Sequence, residues 1–219
     1  LVLSSGVVAI RPRPAEIARQ DGVTLQFLDS AKRFLTIRQC LFGLILIAMT
    51  AGAYLAFLTA SPVIMSELYG VSPEAFGPLF SASALAFLLG ATFSRLYVRK
   101  MGMIKIIRIG VVCLLISALL FTSILAADGM SVFWFWFCAA FYMAGFGVLG
   151  PSATSIALDP VPEMAGRAAA ILGTVQLLTG MLFSLLAALL YDGSMNILVT
   201  LIIVSSISTA WIAFSYKHQ

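Results

Sequence analysis

Six stretches of this chain contain no Lys, Arg, His, Asp or Glu, and each is about as long as a helix must be to cross a bilayer. They run roughly from Gln39 to Ala60, Ala75 to Ser94, Ile109 to Ala127, Met130 to Leu149, Ala168 to Tyr191 and Gly193 to Tyr216. A hydrocarbon core of about 30 Å takes about 20 apolar residues at helical rise, and every backbone group inside it must be bonded within the protein. The pattern therefore predicts six transmembrane helices and no strand. With 61% hydrophobic residues, 10% charged residues and a mean hydropathy of +1.06, the chain has no soluble alternative. No single core could bury that much apolar surface.

Charge sorts the two sides. All thirteen Lys and Arg residues lie on one side of this ladder. Arg11, Arg13, Arg19, Lys32, Arg33 and Arg38 precede the first span, and Arg95, Arg99, Lys100, Lys105 and Arg108 flank the link between the second and third. Arg167 lies between the fourth and fifth, and Lys217 follows the sixth. The other side carries only acids: Glu67, Glu74, Asp128 and Asp192. Loop Lys and Arg mark the cytoplasm, so both ends of the chain are expected there. The net charge of +4 comes from residues beside span ends, where anionic headgroups account for them and no nucleic-acid partner is called for. Cys40, Cys113 and Cys138 lie in or at the edge of spans and read as small apolar side chains rather than a disulfide framework.

The chain divides accordingly. Residues 1–10 are apolar but too short to span, and Arg11-Pro12-Arg13-Pro14 follows them, the reverse of a signal peptide. They read as the remnant of a preceding transmembrane helix, with residues foreign to the protein as the alternative. Residues 11–38 read as a cytoplasmic linker with a surface helix, 39–216 as the six-helix bundle and 217–219 as a cytoplasmic tail.

A repeat organises the bundle. Pro62 is followed by Pro73-Glu74-Ala75-Phe76-Gly77, and Pro151 by Pro162-Glu163-Met164-Ala165-Gly166, at the same spacing and 89 residues later. Pro and Glu are also ordinary at helix starts, so chance competes with duplication. Read as duplication, spans one to three match spans four to six. Three being odd, the second copy enters the membrane from the opposite side, the inverted-repeat construction of secondary transporters.

The run Ala60-Ser61-Pro62, Tyr69-Gly70-Val71-Ser72-Pro73, Phe76-Gly77, Gly90, Arg99-Lys100-Met101-Gly102 and Arg108-Ile109-Gly110 resembles the second half of drug and proton antiporters of the Bcr/CflA type, within the major facilitator superfamily. So does Gly147, Gly150-Pro151-Ser152-Ala153-Thr154, Ala157-Leu158, Ala165-Gly166, Leu172-Gly173, Gln176 and Asp192-Gly193. The resemblance implies an all-α integral membrane fold, six transmembrane helices as a 3+3 inverted repeat forming the C-terminal half of a major facilitator fold. It implies a multi-pass protein of the bacterial inner membrane that effluxes amphiphilic drugs, is driven by the proton gradient without a cofactor, and is partnered by a missing N-terminal six-helix half and by membrane lipids.

The resemblance also points to residues. Gly90, Arg95, Arg99, Lys100 and Gly102 look like a degenerate copy of the superfamily's basic latch loop. This copy lacks the latch's Asp, so a plain positive anchor competes with gating. Ala82, Ala86, Gly90 and Ser94, and likewise Gly180, Ser184 and Ala188, form small-residue ridges suited to close helix packing. Thr50, Tyr54, Phe57 and Ser61 share one helix face, as do Trp134, Cys138, Phe141, Tyr142 and Gly145; hydroxyls on such faces are expected to point away from lipid. The resemblance places these two helices beside a central cavity, making Tyr54, Phe57, Ser61, Phe141, Tyr142 and Gln176 the candidate substrate-lining set. Trp134 and Trp136 read as an interfacial belt instead. Gly150 and Pro151, with Gly145 and Gly147, mark either a gating bend or the end of the helix.

Absences narrow the function. No Asp, Glu, Lys, Arg or His lies at the centre of any span, so a coupling carboxylate or arginine is expected outside these six helices. No embedded His accompanies a Ser or an acid as an intramembrane protease requires, and no Gly-Lys-Ser phosphate loop is present, so neither enzyme activity nor a metal site is expected. A complete six-helix protein working as a homodimer, and the permease subunit of an ATP-driven transporter, stand as the competing readings.

Overall fold

The computed structural model describes residues 27–126 and 131–216. The expectations for residues 1–10, the first part of the linker, Asp128 and the tail 217–219 fall outside them. A helical segment over residues 27–36 is followed by six long helices: α1 (Arg38–Tyr69), α2 (Pro73–Met101), α3 (Met103–Ala126), α4 (Val132–Leu158), α5 (Ala165–Leu189) and α6 (Asn196–Ser215). All six are long and apolar enough to cross a membrane. The chain is an all-α, multi-pass membrane protein.

The helices outrun the charge-free stretches. α1 continues past Ala60 to Tyr69 and α4 past Leu149 to Leu158, whereas α6 begins only at Asn196, after Gly193. Absence of charge marks the hydrocarbon layer, but backbone bonding continues beyond it. At 32 residues α1 is about 48 Å long, well over the apolar thickness.

Turn chemistry sets the ends. α1 stops at Gly70, whose φ of 62° is left-handed, and the Val71 N–H turns back to the Met65 carbonyl at 3.0 Å. Ser72 and Pro73 then open α2, with Glu74 in its first turn beside the positive end of the helix dipole. Gly102 alone separates α2 from α3. Its φ of 81° and ψ of 155° are open to glycine and to almost nothing else.

α1 and α4 form the centre. In the most apolar 18-residue stretch of each helix, 67% of residues in α1 and 61% in α4 are buried, against 11% in α2 and 17% in α5. α2 lies along α4, α5 along α1, α3 along α4 and α6, and α6 along α1. Exchanging α1 with α4, α2 with α5 and α3 with α6 maps this packing onto itself. Pro62 and Pro151 lie inside the first helix of each triplet, and Pro73 and Pro162 open its second, through a 3-10 turn in the latter case. The bundle is thus the 3+3 inverted repeat that the proline spacing predicts.

Candidate functional site

Glycine determines how closely the second helix of each triplet docks. A Cβ added at Gly90 would strike the Ala144 carbonyl oxygen, and one at Gly147 the Phe87 carbonyl oxygen, so α2 and α4 touch backbone to backbone. Ser94 Oγ and Ser152 Oγ lie 3.2 Å apart in the same seam. The α1·α5 seam is its counterpart: Gly180 leaves room for Leu55, Gly52 for Phe183, and Thr59 bonds Ser184 at 3.0 Å. The two ridges are packing surfaces.

Because α2 is clamped to α4, it makes little contact with α1, its neighbour in sequence. The gap holds a cavity of about 150 Å³ lined by Tyr54 of α1, Phe80, Ser83, Ala84 and Phe87 of α2, and Met143 and Phe146 of α4. The Phe146 ring centroid is 5.9 Å from that of Tyr54 and 5.4 Å from that of Phe87, within the range of favourable tilted and edge contacts. Tyr54, Phe87 and Phe146 all lie near the middle of their helices. Ser83 is buried, yet its Oγ has no partner among the described residues. An apolar pocket with one or two placed hydroxyls suits an amphiphilic ligand better than an ion.

The residues picked from sequence separate in space. Tyr54 borders the cavity. Tyr142 does not: it is buried among α1, α4 and α6, where its hydroxyl donates to the Thr50 carbonyl at 2.9 Å and lies 3.4 Å from Ser205 Oγ. Ser205 in turn donates to the Met49 carbonyl at 2.8 Å, so this cluster pins three helices together. Phe57 is buried against Phe135 and Trp136, and Ser61 is fully buried, its Oγ without a partner among the described residues. Phe141 is half-buried near Phe137. Gln176 is half-buried one turn from Thr179 and Gly180, on the α5 face that packs on α1.

The conformational set also separates. Gly90 belongs to the tight seam and Gly102 to the α2–α3 turn, while Arg95, Arg99 and Lys100 are exposed. Among the described residues none of these three pairs with an acid, and Arg99 and Lys100 occupy the last turn of α2, where cations suit the helix dipole. Gly150 and Pro151 do not end their helix, since α4 runs on to Leu158. Pro151 removes only the bond to the Gly147 carbonyl, and the ladder resumes beyond it. Trp136 is no belt residue: it is 5% exposed and packed edge-on to Phe57, Phe76 and Phe135. Trp134 bonds Ser123 of α3 at 3.1 Å.

Sequence reading missed Phe80, Ser83, Phe87 and Phe146. Phe76, Phe80, Ser83 and Phe87 fall at helical spacing on one face of α2, a stripe adjacent to the small-residue ridge and masked by it.

The acidic end is tied by side chains. Tyr191 donates to Glu67 at 2.8 Å and Tyr69 to Met195 Sδ at 3.8 Å. Desolvation, then the Glu67 carboxylate, push the Tyr191 hydroxyl up to about 12. Ser194 donates to Asp192 and holds that carboxyl below its usual range. At the basic end Arg33 pairs with Glu163 at 2.6 Å.

The sequence profile of the Major Facilitator Superfamily matches residues 1–184. The chain is similar to a bicyclomycin resistance protein homolog of Haemophilus influenzae, 25% identical over 197 residues that cover 86% of this chain and 48% of that one. It is 33% identical over 180 residues to multidrug resistance protein D of Escherichia coli, covering 77% and 45% of the two chains. To multidrug resistance protein MdtL of Salmonella typhi it is 29% identical over 205 residues, covering 93% and 49%. The chain thus spans about half the length of the curated relatives it matches. No solved structure matches it.

Proposed function

We propose that this chain, which belongs to the Major Facilitator Superfamily, forms the C-terminal half of a transporter that exports small amphiphilic molecules by alternating access. The aromatic cavity of Tyr54, Phe80, Phe87 and Phe146, near mid-height where three helices meet, carries this reading. The names of the relatives, bicyclomycin and multidrug resistance proteins, support the substrate class. The thin coverage of α2 and α5 calls for a second six-helix unit, the N-terminal half. Following the positive-inside bias, the basic end faces the cytoplasm of a bacterial inner membrane. Transport draws on the proton gradient, and the coupling group lies in the other half, because the described parts of α1 to α6 carry charge only near their ends.

The test uses the assembled transporter in a drug-sensitive strain. Tyr54→Ala and Phe146→Ala change the spectrum of tolerated compounds while leaving the protein level in the membrane unchanged. An unaltered spectrum in both variants removes the cavity from the transport path. In everted vesicles an uncoupler abolishes transport; transport that survives it overturns proton coupling.

A further inference from the structure

α2 carries four side-chain hydroxyls, at Ser81, Ser83, Thr92 and Ser94. Ser81 donates to the Gly77 carbonyl at 2.9 Å and Thr92 to the Leu88 carbonyl at 2.8 Å, each one turn back along the helix. Ser94 Oγ lies 3.2 Å from Ser152 Oγ in the α4 seam. These are the ordinary ways in which a membrane helix satisfies a hydroxyl. Ser83 uses none of them. It is 1% exposed, and its Oγ has no hydrogen-bond partner among the described residues, the Leu79 carbonyl one turn back included. A buried hydroxyl left unpaired costs the fold, and this one stands on the wall of the aromatic cavity.

The size and composition of that cavity restrict what can pair with it. A volume of about 150 Å³ holds one benzene-sized ring and little more. Tyr54, Phe80, Phe87 and Phe146 offer ring faces and edges, against which another ring packs favourably. Ring faces also attract cations, but no Asp or Glu stands on the wall to balance one, and an unbalanced charge within a membrane bundle is expensive. A neutral ring fits best. Because a serine hydroxyl both donates and accepts, a hydroxyl, amine or carbonyl on that ring would satisfy Ser83. One rotation about Cα–Cβ, between staggered positions, turns its Oγ toward such a group.

Resting on the reading of this cavity as a substrate site, we infer that it is a subsite for a single neutral aromatic ring bearing one hydrogen-bonding substituent, and that Ser83 selects the substituent.

Two probes of nearly equal shape, para-fluorophenol and para-fluorotoluene, differ in whether they can pair with Ser83. Their binding to the assembled transporter in detergent is followed by fluorine NMR, for wild type and for Ser83→Ala. Comparing the effect of the substitution on each probe cancels their unequal partitioning into the micelle. Ser83→Ala weakens fluorophenol about tenfold and fluorotoluene by less than about twofold, as expected for one hydrogen bond. Ser81→Ala, which removes a hydroxyl bonded to its own helix outside the cavity, leaves both unaltered. Ala84→Phe fills the cavity and abolishes binding of both. Equal effects of Ser83→Ala on the two probes, or binding that survives Ala84→Phe, overturn the inference. So does tighter binding of the para-fluorotrimethylanilinium cation than of fluorophenol. None of these readouts requires transport, so the two readings fail separately. Selective loss of fluorophenol in Ser83→Ala, with an unaltered compound spectrum in Tyr54→Ala and Phe146→Ala, upholds the ring site and overturns the transport path. An altered spectrum without that selective loss does the reverse.

Discussion

Alanine at Gly90 and alanine at Gly150 should change stability in opposite directions, although both replace a glycine inside a transmembrane helix. Removing a mid-helix glycine by itself favours the helix by about 0.5–1 kcal/mol. At Gly150 nothing opposes that gain: the nearest atoms to a new Cβ are Phe146 ring carbons at 3.6 and 3.7 Å, an ordinary contact. At Gly90 the new Cβ falls on the Ala144 carbonyl oxygen and comes within 3.1 Å of the Val148 nitrogen. Both are backbone atoms of α4, and no rotamer change moves them. α2 must back away, at an overpacking cost of about 1–3 kcal/mol. Separation also stretches the Ser94–Ser152 contact, worth roughly another 1 kcal/mol. Offset by the helical gain, Gly90→Ala is expected to lose about 1–3 kcal/mol while Gly150→Ala gains up to about 1. Gly147→Ala meets the Phe87 carbonyl in the same seam, so the Gly90, Gly147 double variant should cost less than the sum of the two. Reversible unfolding of the purified variants in detergent, followed by helical circular dichroism, measures all four. A Gly90→Ala protein as stable as Gly150→Ala, or a fully additive double variant, would refute the backbone contact.

Tyr142→Phe removes the donor to the Thr50 carbonyl and should lower stability by about 0.5–1.5 kcal/mol while the spectrum of tolerated compounds stays as in wild type. A changed spectrum at unchanged stability would return Tyr142 to the cavity wall. Ser83→Ala deletes a buried hydroxyl with no partner among the described residues, so unfolding should show equal or greater stability, by up to about 1–2 kcal/mol; a loss of stability would reveal a partner for Ser83 within the protein. Tyr191 has its folded-state proton affinity raised from 10.0 to about 12, so its stabilising contribution is complete below pH 10 and drains away as pH climbs toward about 12. A phenolate absorbance titration of wild type against Tyr191→Phe isolates that group, and Glu67→Gln should shift its midpoint down by removing the carboxylate that opposes ionisation.

Sequence was most informative where one physical cause acts alone. Hydrocarbon excludes charge, so the absence of charge located six helices, and Pro62, Pro73, Pro151 and Pro162 revealed the repeat because a missing N–H is tolerated in few places. Helix ends were less legible because α1 and α4 continue beyond the apolar layer. The site was legible only in Tyr54. Thr50, Phe57, Ser61 and Tyr142 do turn away from lipid, as their spacing implies, but a membrane bundle has two kinds of interior. A hydroxyl on an inward face serves equally to pin neighbouring helices and to meet a ligand. Only the docking of α2 onto α4 through Gly90 and Gly147 separates the two uses.

That docking also explains why the cavity has the composition it has. Each triplet places its second helix across the other triplet, α2 on α4 and α5 on α1, so the consecutive pairs α1, α2 and α4, α5 are left loosely joined. The first loose joint holds the aromatic cavity. In the second, adding the 89-residue repeat shift to Phe87 gives Gln176, which keeps the same place relative to its seam: Phe87 stands three and four residues before Gly90 and Ala91, and Gln176 three and four before Thr179 and Gly180. The same shift relates Phe57 to Phe146, and here the pair diverges, one ring buried in the core and the other on the cavity wall. Inverted duplication therefore conserves the docking of the helices but not the side chains at equivalent positions: where α2 carries the phenyl ring of Phe87 on the cavity wall, α5 carries the amide of Gln176.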